Sequence, residues 1–114
     1  MKLILEANEK VINERILAIL ELGLLTALSN NVISIEECEG YLFNPYIMKL
    51  LNKNKINTEI INIIHEGCEL EDIQSLLPDK LTENIERLNK KCLKILEILE
   101  KPEFPIDKLI EKSK

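Results

Sequence analysis

The stretch with the side chains of a reactive site is His65 to Asp72, HEGCELED: the only histidine of the chain, one of its three cysteines and four carboxylates. His65, Cys68, Glu69 and Asp72 offer donors that zinc accepts, and a catalytic zinc needs three protein ligands plus water. The spacing argues against that use. His-Glu-x-x-His is absent, and Gly67, read as the left-handed residue that closes a helix, puts His65 and Cys68 on opposite sides of a turn. Acids also belong at helix N-termini, where they offset the dipole, which explains Glu69, Glu71 and Asp72 without a metal. Cysteine–histidine catalysis needs hydrogen-bond reach and an orienting third group, and adjacency in sequence guarantees neither. A packed thiol is the simpler reading of Cys68. The expectation is no catalytic residue, no metal ligand and no cofactor. The alternative is a small metal-dependent or cysteine-dependent enzyme using His65–Asp72.

A second group suits binding. Tyr41-Leu42-Phe43-Asn44-Pro45-Tyr46 gathers three of the four aromatics at a joint between helices. Phe43 reads as a staple packed before the Asn44 cap, whereas Tyr41 and Tyr46 keep hydroxyls that want water or a partner. Glu36, Glu37 and Glu39 form another acidic cluster in a first helical turn. On one face with Glu66, Glu69, Glu71 and Asp72, they would make a negative surface suited to a basic protein. The partner-binding residues expected are Tyr41, Tyr46, Glu66, Glu69, Glu71 and Asp72.

Composition narrows the classes. The net charge is -5, and Arg15 and Arg87 are the only arginines among 15 basic residues. Nucleic-acid binders gain most affinity by neutralising phosphates from a basic face, and no run here is dense enough. Cys38, Cys68 and Cys92 form no Cys-x-x-Cys pair, and an odd number of thiols fits a reducing compartment. MKLILEANEK turns polar too early for a secretory segment. The apolar run Ile16–Leu28 is shorter than the roughly 20 residues that span a bilayer. The expectation is a cytoplasmic protein without membrane contact, and heavy use of Ile, Lys and Asn suggests a bacterial or phage genome. There is no Gly-rich phosphate loop, no Gly-x-Ser-x-Gly elbow and no Rossmann fingerprint.

The elements that must position these residues are helical. Ile16–Leu28 is apolar on nearly every side and needs covering, so it is expected to be the central rod. Its helix should start within the first few residues, with Lys10, Glu14 and Glu21 on a polar stripe and Leu5, Ile12, Ile16, Leu20 and Leu24 opposite. Gly23 costs about 1 kcal/mol against Ala, which suggests a neighbouring helix in close approach. Ser34-x-x-Glu37 is a capping box, and Asn44-Pro45 places a cap before a first-turn proline. Asn57 or Thr58 opens a further helix and Glu69–Leu77 another. Pro78 or Asp79 then begins a long one reaching Glu100, with Leu81, Ile85, Leu88, Cys92, Ile95 and Leu99 as a heptad seam. Ile106, Leu109 and Ile110 read as a small closing helix. No strand is expected. The fold class is all-α, a compact single-domain bundle over 1–114 with two long helices and several short ones.

Two stretches, Glu39–Leu51 and His65–Leu81, resemble a family of small bacterial proteins known only as a domain of unknown function. The resemblance rests on Leu42-Phe43-Asn44-Pro45, a Leu-Phe-x-Pro corner, and on Gly67-Cys68-Glu69-Leu70-Glu71-Asp72, a Gly-x-Glu-Leu-Glu-Asp segment. It covers the middle third of the chain, implies a single α-helical domain and supplies no activity. The function expected from the residues is a non-catalytic protein-binding module, an acidic inhibitor or neutraliser of a more basic partner, of toxin-immunity or phage-inhibitor type. Surplus apolar surface on the last long helix offers a further reading, a homo-oligomeric structural protein such as a homodimer.

Overall fold

The computed structural model describes residues 1–103 and 108–112. The order of elements is β1 (Leu3–Glu6), α1 (Lys10–Ser29), α2 (Ile35–Tyr41), α3 (Pro45–Lys53), α4 (Thr58–Cys68), α5 (Leu70–Leu76), a 3-10 turn at Pro78–Lys80, α6 (Leu81–Ile98) and β2 (Lys108–Glu111). The fold is all-α apart from one ribbon of two short strands.

Local chemistry sets most boundaries. Ser34 Oγ accepts from Glu37 N at 3.0 Å to start α2, and Asn44 Oδ1 accepts from Ile47 N at 2.9 Å to start α3, with Pro45 in its first turn. Asn57 Oδ1 accepts from Glu59 N at the start of α4. Helices α1 and α3 end alike. Asn31 (φ 60°) and Lys55 (φ 56°) take the left-handed conformation. Val32 N then donates to Ala27 O and Asn31 N to Leu28 O, while Ile56 N donates to Leu51 O and Lys55 N to Asn52 O. These are the paired bonds of a Schellman motif, which satisfy carbonyls the helix leaves open.

The four-three seam of α6 is buried at Ile85, Leu88, Cys92 and Ile95. It packs antiparallel against α1, whose row Ala18, Glu21, Leu25 and Leu28 has matching spacing. Asn89 Nδ2 reaches Thr26 Oγ1 at one level, while Arg15 donates to the carbonyls of Leu96 and Leu99 at the other end. The remaining core comes from α4, where Ile60, Ile61, Ile63, Ile64 and Gly67 are all buried and which touches α1, α3, α5 and α6.

Several expectations are corrected. The central rod is α4, not Ile16–Leu28: α4 touches four other helices, whereas α1 is buried along Ala18, Glu21, Leu25 and Leu28 and exposed at Ile19 and Leu20. The buried side is the one expected to be polar: Glu21 is fully buried and Glu14 Oε2 accepts from Asn57 N at 2.7 Å. Leu20, expected inward, is exposed, and so is Ile19. The row 18–21–25–28 wins because its three-four repeat interlocks with α6. Among the described residues nothing stands within 4 Å of where a Cβ on Gly23 would be. Gly67 does not close a helix in a left-handed turn; it lies inside α4, and no described glycine has positive φ.

The first helix starts only at Lys10, because Leu3–Glu6 pairs antiparallel with Lys108–Glu111 (Leu3 opposite Glu111, Glu6 opposite Lys108). Leu109 and Ile110 therefore sit in a strand rather than a closing helix, and Ile106 lies outside the described residues. Four residues are too short to show the alternation by which a strand is read, and only cross-chain pairing reveals it.

Candidate functional site

Helices α2 and α5 are seven residues each, and each carries acids in its first turn, Glu36 and Glu37 on one and Glu71 and Asp72 on the other. The two helices pack against one another, and Cys38 on α2 and Leu70 on α5 are both fully buried. Each has a glutamate as its C-terminal neighbour, the half-buried Glu39 and the exposed Glu71. Partial burial first, then Glu71, then the charges of Glu36 and Asp72 push the Glu39 carboxyl above the ordinary carboxylate range. The two acidic clusters thus share one face.

This face is held from behind by Phe43. Its ring is buried against Gly67 of α4, so the α2–α3 corner cannot lift off the core. Around the corner stand the two tyrosines, 64% and 71% exposed for Tyr41 and Tyr46. Tyr41 donates its hydroxyl to Glu37 Oε2 at 2.8 Å, so Glu37 answers Tyr41 rather than closing the capping box expected from sequence.

The other expected residues are placed differently. Glu66 is tied to α6, receiving Arg87 Nη1 at 2.8 Å and Lys91 Nζ at 3.1 Å. Burial works to raise its pKa, but the bonds and charges of Arg87 and Lys91 outweigh it and hold Glu66 below the usual range. Its charge is answered within the molecule. Glu69 lies at the junction of α4 and α5, with Oε1 3.3 Å from His65 Nδ1 one turn back, both side chains largely in solvent.

His65 and Cys68 lie on the same helix three residues apart, so the turn expected between them is absent. Burial first, then the charges of Glu39 and Glu69, raise the Cys68 pKa. A nucleophilic thiol needs the opposite shift. Among the described residues no three His, Cys, Asp or Glu side chains converge as metal ligands. Cys38 is buried with its pKa pushed up to about 11, and Cys92 to about 12.

Sequence reasoning missed one acid. Glu21 sits between α1 and α6 with no exposure; its Oε1 is 3.9 Å from Cys92 Sγ and its Oε2 has no partner among the described residues. Desolvation, eased only slightly by the Cys92 contact, raises its pKa to about 9. Its place in the row Ala18, Glu21, Leu25, Leu28 was the available signal. The residue type hid it.

Fold and face together define a small helical domain built on an antiparallel α1–α6 pair, with an acidic, tyrosine-flanked corner. The chain belongs to the family described as "Protein of unknown function (DUF3969)", whose model matches residues 8–111. No curated protein and no solved structure matches it. No helix among the described residues is long and apolar enough to cross a membrane.

Proposed function

We propose that the protein is a non-catalytic binding module that takes a basic protein on its α2–α5 face, and that it restrains that partner as an inhibitor or neutraliser. The observation that carries this reading is the packing of α2 on α5, which brings Glu39 close enough to Glu71, Glu36 and Asp72 for their charges to raise its pKa. Holding like charges together costs the free protein energy that a cationic partner would return. Tyr41 and Tyr46 supply amphipathic rings at its edge, a residue type enriched at binding hot spots. The comparison with immunity proteins and phage-encoded inhibitors rests on size and charge alone and is an analogy.

The test is capture from a cell extract on immobilised protein, read by mass spectrometry. The wild type is compared with Glu39→Lys/Glu71→Lys and with Glu86→Lys/Glu97→Lys, which makes the same change in net charge on exposed α6 positions. A basic protein retained by the wild type and the α6 variant but lost by the α2–α5 variant is the expected result. Equal retention by all three, or equal loss from both variants, would sink the reading.

A further inference from the structure

Among the described residues nothing covers the outward side of α1 around Ile19 and Leu20, and nothing approaches Gly23 there. Ile16, Ile19, Leu20 and Gly23 follow one another at helical spacing. Ile19 is 53% and Leu20 44% exposed. Between α1, α3 and β1 runs an open groove of about 310 Å³ lined by Leu5, Ile16, Leu20 and Leu50 among others.

A mid-helix glycine costs about 1 kcal/mol against alanine. Nothing at Gly23 repays that among the described residues: none of their heavy atoms stands within 4 Å of where a Cβ would be, and its φ is not positive. A glycine on an apolar helix face is used where another backbone must come close.

We infer that a second copy of this chain covers this side, in a two-fold dimer with α1 crossing α1 at Gly23 and Leu20 of each copy entering the groove of the other. Charge selects this occupant. From Ile16 to Ser29 the only charged side chain is Glu21, which faces inward. A charged partner would find no counter-charge along α1, whereas a second copy brings an equally uncharged stripe and meets no repulsion.

The area is of the right size. A standard interface takes about 800 Å² from each partner, and about 65% of it is apolar in homodimers, so each copy must offer roughly 500 Å² of apolar surface. Leu5, Ile19, Leu20 and Leu50, each between 41% and 53% exposed, supply a large part of it. The contact is isologous and closes on itself. It leaves the acidic α2–α5 face free, so it stands independently of the function proposed above.

Sedimentation equilibrium of the full chain, from micromolar to millimolar, tests it. The wild type should show a reversible monomer–dimer equilibrium. Leu20→Glu should be folded by circular dichroism and monomeric throughout, and Ile19→Lys gives the same test should Leu20→Glu not fold. Gly23→Ala is the discriminating variant. It meets no atom of its own subunit, so its melting temperature at the lowest concentration should equal or exceed that of wild type, while its dimer dissociation constant rises at least tenfold. A wild type that stays monomeric at every concentration overturns the inference, whatever else the groove binds. A folded Leu20→Glu or Ile19→Lys variant that dimerises as wild type, or a Gly23→Ala variant that does, overturns it as well.

Discussion

A methyl group on Gly67 would lie 2.7 Å from Cγ of Phe43, inside the closest approach two carbons make. The aromatic corner and the centre of α4 are thus fitted to one another, and the acidic face hangs on that fit. Gly67→Ala should destabilise the fold by about 2 kcal/mol, because overpacking a filled site costs roughly 1–3 kcal/mol and outweighs the gain in helix propensity. Urea denaturation measures it. A variant as stable as wild type would show that the ring can step aside.

Glu21 makes stability depend on pH. Its folded-state pKa of about 9 stands above the ordinary 4.5, so the protonated acid favours the folded chain. The contribution is complete below about pH 4.5 and is lost as pH rises toward 9, at up to about 1.4 kcal/mol per pH unit. Glu21→Gln cannot ionise. Urea denaturation at pH 6 and pH 9 should show a smaller fall for this variant than for wild type. Parallel falls would mean that Glu21 is already ionised in the folded protein.

Lys55 holds a left-handed conformation at the end of α3, at a cost of roughly 1 kcal/mol for a residue with a Cβ. Its side chain is exposed. Lys55→Gly should therefore raise stability by about 0.5–1 kcal/mol, measured by the midpoint of thermal unfolding. A fall would reveal that the lysine makes a contact worth more than the strain.

Glu39 and Glu71 repel one another in the free protein. Glu39→Gln should raise the melting temperature in low salt, and the difference should shrink as salt screens the cluster. A difference indifferent to salt would place the effect in packing instead of charge.

Much of the fold was legible because it is written locally. The caps at Ser34, Asn44 and Asn57, the proline at the start of α3 and the four-three seam of α6 each depend on neighbours within a turn. What could not be read depended on partners distant in sequence. A helix apolar all round, like α1, gives no sign of which side faces in, so Glu21 passed for a surface acid until α6 was seen against it. The ion pairs of Arg87 and Lys91 are equally hidden from sequence, because their acid, Glu66, reaches them from α4. The two acidic clusters are visible as clusters, but only the packing of α2 on α5 puts them side by side. Gly67 reads as the end of a helix, because sequence does not distinguish a glycine that turns the chain from one that makes room for a ring.

The β1–β2 ladder has a practical bearing. The strands run antiparallel with Leu3 opposite Glu111, so bulky groups attached at these two residues would crowd one another at one end of the ribbon. Leu5 of that ribbon lines the α1–α3 groove, so a purification handle or fluorescent reporter fixed to the ribbon would also stand near that groove. An exposed internal site such as Lys90 on α6 is the better anchor for a label.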